Sequence, residues 1–309
     1  MAVDLSPIDE SLLASIANIH GMPKGAFNIR KDGQLVSRSS SAYIDIETKT
    51  DHPGIDIKIK PGTKGESVFI PVIVTQAGLK DVVYNTFYVG EDSDVTIIAG
   101  CGIHNDSHKS SEHDGIHTFY VGKNARVKYI EKHYGEGAGT GERILNPTTN
   151  VYLEENSFCE MEMVQVRGVS STVRDTNAEI GAGAKLILTE RLLTHDNQVA
   201  VSNMKIELKG EGSNVQVISR SVAQDNSMQT FNPLVIGEAA CHGHVQCDAI
   251  IMGNAKVKAI PGIEAACEDA MLIHEAAIGK IAGEEITKLM TLGLTEEEAE
   301  AEIIEDFLN

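Results

Sequence analysis

The sequence predicts a mainly β chain, a right-handed parallel β-helix (β-solenoid) with a short N-terminal helix and a C-terminal helical subdomain. Three observations predict it. From about residue 55 to 275, short β-branched runs alternate with tight turns of Gly, Asn, Asp, Ser and Ala. Similar strand–turn–strand units recur at intervals of roughly 28 to 32 residues until the last, which is displaced, without helices between them. The last stretch, residues 283–309, then changes to an acidic, helix-forming texture.

In chain order, residues 6–20 predict one helix. Ser6 can cap it and Pro7 suits its first turn; Ile8, Leu12, Ile16 and Ile19 share a face, and Gly21 ends it. The repeated units follow: YVGEDSDVTII at 88–98, YVGKNARVKYI at 120–130 and VYLEENSFCEMEM at 151–163. AEIGAGAKLIL at 178–188, IELKGEGSNVQVI at 206–218 and IIMGNAKVKAI at 250–260 continue the series. Units of this kind stack on their neighbours and share one core. Small residues such as Ala125 and Ala184 fit the corners. A β-sandwich also uses short strands, but here the repeating unit spans two strands and keeps its turn. At the C-terminus, Glu284 to Leu292 forms a helix stopped by Gly293. Thr295 and Glu298 then make a capping box for a second helix, with Leu294 and Ala299 as its hydrophobic staple. These two helices predict either a cap on the solenoid end or a docking site for a partner. The resulting division is 1–54 for the helix and lead-in, 55–276 for the solenoid and 277–309 for the helical subdomain.

The formal charge is -19, with 45 acidic against 26 basic residues. Such a chain repels phosphate backbones and anionic lipid, so neither nucleic acid nor membrane is an expected partner. The N-terminus lacks a basic segment followed by an apolar run, and no stretch reaches the ~20 apolar residues of a membrane span. Five scattered cysteines do not form a disulfide framework. A reducing, cytoplasmic setting is therefore expected.

No phosphate-binding G-x-x-x-x-G-K-[ST] occurs, since PGTKGES at 61–67 lacks the spacing. Neither does a G-x-S-x-G elbow or an H-E-x-x-H helix. Soft ligands are densest at 241–248. In an extended strand Cys241, Val245 and Cys247 share one face, and His242, His244 and Asp248 the other. Roughly one repeat later comes Met271-Leu272-Ile273-His274-Glu275-Ala276. Adjacent rungs would set Cys247 near His274 and Glu275, a mixed thiolate, imidazole and carboxylate site. Thiolates suit iron–sulfur clusters, and few of them make for easy release. The cysteines read equally as core fillers. A second group, Cys101, His104, Asp106, His108, His113, Asp114 and His117, offers either a zinc site, with His104 and His108 among its ligands, or a solvated polar loop. Cys101 follows the strand VTIIAG between two glycines, an accessible place for a nucleophilic thiol. Cys159 reads as core, and nothing assigns Cys267 a role.

The segments EDSDVTIIAGCGI, FYVGKNARVKY, VQCDAIIMGNAKVKAIPGIEA, IHEAAIGKI and LMTLGLTEEEAEAEIIEDFL resemble the SufB/SufD family, the scaffold subunits of the SUF iron–sulfur assembly system. The resemblance runs from about residue 65 to the end and is most specific over 247–308. It implies a scaffold, not an enzyme, that builds a transient iron–sulfur cluster. The cluster-assembly cysteine matches Cys247, the functional glutamate Glu275 beside His274, and the sulfur-accepting cysteine Cys101. The resemblance further implies docking of a SufC-like ABC-type ATPase on 283–308. It implies pairing with a second copy or a related scaffold chain near 247–275, and a sulfur donor protein. Ile273 stands where the family usually has an acidic residue, and the His-rich loop is not required by its pattern. Cys247, His274 and Glu275 together look SufB-like, which implies a minimal homodimeric system. The alternatives are a zinc-binding structural protein using the loop 101–117 and a β-solenoid enzyme. The strict six-residue repeat of solenoid acyltransferases is missing.

Overall fold

The structure, a computed structural model, describes residues 5–308; the first four residues and Asn309 of the predicted terminal segments lie outside it. Two long sheets run side by side through the molecule. One contains, in spatial order, Gln34–Ser39, Ala26–Lys31, Lys64–Val74, Asp94–His104, Arg126–Glu136, Phe158–Arg167, Lys185–Thr194, Asn214–Ala223, His242–Ile251 and Met271–Gly279. The other carries the alternate strands, from Ile44–Thr48 to Lys256–Ala259. Each rung contributes one strand to each sheet, and the chain makes about eight turns. Asp94 lies opposite Arg126, then Phe158, Lys185, Asn214, His242 and Met271 in succession, so the rungs are 27 to 32 residues long. The solenoid class and its spacing are as expected.

The corners explain the repeat. Asp92, Asn124, Asn156, Gly183 and Gly212 all have positive φ and form a ladder of turn hydrogen bonds from rung to rung. Asp, Asn and Gly are the residues that accept this conformation most easily. The next residue points inward at each corner, and only small side chains occur: Ser93, Ala125, Ser157, Ala184, Ser213 and Cys241, all buried. Between corners the strands alternate, with Val, Ile, Leu and Met filling one continuous core. The close register also shows outside, where Tyr88, Tyr120 and Tyr152 stack at 5.5 and 5.1 Å.

The sheets begin upstream of residue 55. Ala26–Lys31 pairs antiparallel with Gln34–Ser39 through Asp32 and Gly33, both at positive φ, a hairpin turn that Asp-Gly favours. Ile44–Thr48 pairs antiparallel with Gly54–Ile59. These hairpins close the N-terminal end of the solenoid.

Helix α1 (Pro7–Ala17) is capped by Ser6 and Asp9, each side chain bonded to the other's backbone N–H. It ends at Asn18 in the left-handed conformation, three residues before the expected Gly21. Its buried side is Leu12, Leu13, Ile16 and Ala17, while Ile8, expected on that face, is 41 % exposed. The helix lies on the outer face of the strand Asp94–His104, where two glycines admit it. A β-carbon at Gly100 would stand 2.9 Å from the Ile16 Cβ and 2.7 Å from the Lys132 carbonyl oxygen.

At the other end, Met271–Gly279 leads through residues 280–282 into α2 (Gly283–Thr291) and then α3 (Glu296–Leu308). The expected capping box of α3 is present: Thr295 N–H donates to Glu298 at 2.8 Å, and Glu298 N–H to the Thr295 hydroxyl at 3.2 Å. Helix α3 does not cap the solenoid end. It lies against the strand Asn214–Ala223 on the side wall, burying Ala299 and Leu308, and Arg220 donates to the Phe307 carbonyl at 3.5 Å. The final strand is thus left as an open edge, with Met271, Ile273 and Ile278 exposed. Among the described residues no helix is long and apolar enough to cross a membrane.

Candidate functional site

Because the strands stack in register, inward side chains form columns along the solenoid. One column of the first sheet reads Ala99, Glu131, Met163, Glu190, Ser219, Cys247 and Ala276. Its neighbour reads Val72, Cys101, His133, Gln165, Leu192 and Ser221. Charged residues here occupy positions that the alternation gives to the core.

The other sheet answers them. Arg174 donates to Glu131 at 2.6 Å, approaches Glu190 at 3.6 Å and meets His133 Nδ1 at 3.3 Å. The Tyr129 hydroxyl donates to Glu131 at 2.9 Å and contacts His117 Nδ1 at 2.6 Å. On the same strand as His117, His113 pairs with Asp81 at 3.1 Å, and Asp81 with Arg30 at 3.3 Å. All of these but Arg30 are fully buried. Burial pushes the His117 and His133 imidazoles down to about 4, against the opposing pull of Glu131, so both are neutral at pH 7. Burial alone would raise the Glu131 carboxyl, but His133, Arg174 and His117 around it hold it far below the usual range. The lasting charge pair is therefore Glu131 with Arg174. Glu190 is raised by burial, with Arg174 opposing.

Cys101 corrects the sequence reading. It lies inside the strand Asp94–His104, faces the core and is 2 % exposed. The flanking glycines make room for α1 and do not open the thiol to solvent. Burial, then the charges of Asp81 and Glu131, push its pKa well up. It lines a cavity of about 10 Å³ with His113, His117, Glu131 and His133, barely the space of one water. A second cavity of the same size lies further along, lined by Gln165, Thr172, Arg174, Glu190 and Ser202.

His113 and His117, read as part of a polar loop, are inward residues of the strand Ser111–Val121. His104 bonds Glu136 at 3.1 Å through one ring nitrogen and Asp106 at 2.9 Å through the other. Burial lowers its pKa, and these two carboxylates more than restore it. His108 is exposed. Among the described residues the loop gathers no three metal-ligand atoms; the one such group is His195, Asp196 and Asp225, on surface turns elsewhere.

The strands holding Cys247, His274 and Glu275 are adjacent, as the rung spacing predicts, but the three residues divide between two faces. Cys247 faces inward and is 1 % exposed; burial, then Asp248 and Glu190, push its thiol up to about 11. His274, opposite Val245, shares the inner face, and its Nε2 is buried without a hydrogen-bond partner. Glu275, opposite Gln246, faces outward, where its carboxylate stands 3.6 Å from His244 Nε2. Cys241 takes the small corner position, and Cys267 is half-buried beyond it.

Sequence reasoning missed Glu131, His133, Arg174 and Glu190. The signal for three of them was available. In ARVKYIEKHYGE, Glu131 and His133 share the parity of Val127 and Tyr129. In AKLILTERLL, Glu190 shares that of Leu186 and Leu188.

Comparison with known proteins follows the same lines. Residues 74–307 match the SufBD core domain of SUF-system FeS cluster assembly. An iron–sulfur cluster assembly SufBD family protein of Methanocaldococcus jannaschii is 28% identical over 296 residues, 94% of this chain and 92% of that one. One from Archaeoglobus fulgidus is 26% identical over 276 residues, covering 89% and 73%. Another, from Methanothermobacter thermautotrophicus, is 26% identical over 270 residues, covering 85% and 64%.

Proposed function

Since this chain belongs to the SufBD family of the SUF iron–sulfur cluster assembly system, we propose that it is the scaffold on which a nascent cluster is built. Sulfur from a donor protein enters at Cys101 and reaches Cys247 along the buried polar columns. The cluster forms there, with His274 on the same face and Glu275 at the adjoining edge.

The observation that carries this reading is the line of buried charge between the two thiols. Burying charged groups costs several kcal/mol each unless they are well paired, and apolar replacements of similar volume are often more stable. A core that served packing alone would have no reason to hold Glu131 and Glu190 in one column with Arg174 reaching across to both.

Five rungs separate Cys101 from Cys247, about 24 Å at the usual strand spacing. The cavities between them are water-sized and both thiols are held protonated, so the resting core must loosen before sulfur moves. Burial is the chief cause of both raised pKa values; opening would therefore also release the thiolates that react. We assign that opening to an ABC-type ATPase docked on residues 283–308. Only residues 280–282 separate α2 from the strand that carries His274 and Glu275, so a pull on α2 acts directly on the site. The open edge at Met271–Gly279 suits pairing with a second scaffold chain, and the reducing cytoplasm suits its free thiols.

Anaerobic reconstitution with iron and sulfide tests the reading. Wild type should develop the visible absorption of a labile cluster, and Cys247→Ala should not. A Cys247→Ala protein that assembles clusters at the normal rate would remove Cys247 from the mechanism.

A further inference from the structure

Cys241 and Cys267 take no part in the scaffold chemistry above, yet the last rung brings them together. Cys241 holds the inward corner position that Ser93, Ala125, Ser157, Ala184 and Ser213 hold on earlier rungs. Serine or alanine satisfies the packing there, so the corner itself does not call for a thiol. The segment that carries Cys267 closes over this corner. Ala266 N–H donates to the Gly237 carbonyl at 2.8 Å, and Met271 N–H to the Cys241 carbonyl at 2.9 Å, which ties both ends of the segment down. Between them Ala270 N–H donates to the Cys267 carbonyl at 3.1 Å and makes the turn tight. A β-carbon on Gly237 would stand 2.9 Å from Cys241 Sγ and 2.8 Å from the Ala270 Cβ, so the sulfur lies beside the end of that turn. Burial raises the Cys241 pKa, the Ala239 backbone opposes it, and the charge of Cys267 adds to the rise, so the two thiols are within electrostatic reach. Cys241 is buried and Cys267 half-buried, which gives an oxidant access to Cys267 first.

We infer that Cys241 and Cys267 form a dithiol–disulfide site, oxidised by a hydroperoxide, whose bond clamps the last rung to the one before it. Peroxide converts the Cys267 thiol to a sulfenic acid and releases one water. The Cys241 sulfur then attacks the Cys267 sulfur. Hydroxide leaves, takes up the Cys241 proton as a second water, and the disulfide remains. Two thiols lose two electrons in all, and one hydrogen peroxide is reduced to two waters. A disulfide needs α-carbons within ~7 Å of each other, a span that suits neighbouring rungs about 4.8 Å apart. The strand Met271–Gly279 leaves this turn four residues after Cys267 and carries His274 and Glu275. The bond therefore holds that edge strand against its neighbour. Since the edge strand must move for a cluster to form, oxidation would keep the scaffold closed. That consequence rests on the scaffold reading; the crosslink does not.

The test treats the full chain with hydrogen peroxide, blocks the remaining thiols and maps peptides without reductant. Wild type should lose two of its five thiols and yield one linked pair of peptides, Cys241 with Cys267, within a single chain. Amide exchange in 271–279 should slow about tenfold or more, and dithiothreitol should reverse both changes. Cys241→Ser and Cys267→Ser should form no such link and should show no slowing. Serine already fills this corner on other rungs, and equal thermal unfolding of the reduced proteins will confirm that both variants fold. Wild type that keeps both thiols free, or links Cys267 to a second chain, would overturn the inference. So would equal slowing in Cys241→Ser, or a disulfide that leaves exchange in 271–279 unchanged. No iron or sulfide enters the measurement, so failure of cluster assembly, tested separately, leaves its result standing.

Discussion

Arg174 reaches from one sheet to Glu131 of the other and donates to it at 2.6 Å in the middle of the buried core. Glu131 both lines the Cys101 cavity and stands in the column that leads to Cys247. Replacing Arg174 by Met leaves the Glu131 carboxylate buried without its permanent cation. The expected loss is about 3 to 5 kcal/mol in urea unfolding. Adding Glu131→Gln to Arg174→Met should restore a large part of that loss. If Arg174→Met unfolded at the same urea concentration as wild type, the pair would not be holding the core.

Acid should weaken the protein through the same cluster. His117 and His133 have folded pKa values of about 4, below the ~6.5 of an unfolded chain. Between those values the unfolded state binds more protons, so stability falls as pH drops from about 6.5 towards 4. Each histidine can contribute on the order of 3 kcal/mol to this fall. Glu131, depressed in the folded state, contributes stability above its unfolded pKa and loses it as pH falls lower still. The thermal midpoint should decline through this window, and His117→Gln, which carries no titrating group, should flatten the decline. An equal slope in that variant would mean His117 is not buried neutral.

Much of the fold was legible because the corners are chemically narrow. Asp92, Asn124, Asn156, Gly183 and Gly212 occupy one conformation that few residues accept, so the turns repeat even where the strands do not. The adjacency of the Cys247 and His274–Glu275 strands followed from rung length. Their division between faces did not, because a one-residue change of register exchanges the two faces of a strand, and rung lengths vary. Cys101 misled for a related reason. Glycines on both sides suggest exposure locally, but Gly100 and Gly102 answer to α1, which lies more than eighty residues earlier in the chain. His113 and His117 were read as loop because SEHDGIHT has little apolar content; the inward parity of His117 makes sense only beside Tyr129 and Glu131 on the following strand, and that of His113 beside Asp81.

Gly100 gives a direct check on the seating of α1. A methyl group there meets Ile16 and the Lys132 carbonyl at under 3 Å. Gly100→Ala should cost about 1 to 3 kcal/mol and should speed amide exchange in residues 7–17. Unchanged exchange would show that the helix does not rest on this strand.

The two ends of the C-terminal region should separate by mutation. Ile273 is 48 % exposed on the unpaired edge strand, and Leu292 is 77 % exposed at the end of α2. With the pairing and docking proposed above, Ile273→Lys should yield monomer where wild type sediments as a dimer, without loss of ATPase binding. Leu292→Asp should abolish co-purification with the ATPase partner and leave both dimer and thermal midpoint unchanged. Loss of both interactions in either variant would contradict two distinct surfaces.

The most direct measurement follows sulfur itself. Radiolabelled sulfur is delivered by a persulfide donor, the reaction is quenched, and the label is mapped by peptide. The account predicts label on the Cys101 peptide first and on the Cys247 peptide afterwards, with none reaching Cys247 in a Cys101→Ser protein. Undiminished labelling of Cys247 in Cys101→Ser would contradict a route through the core.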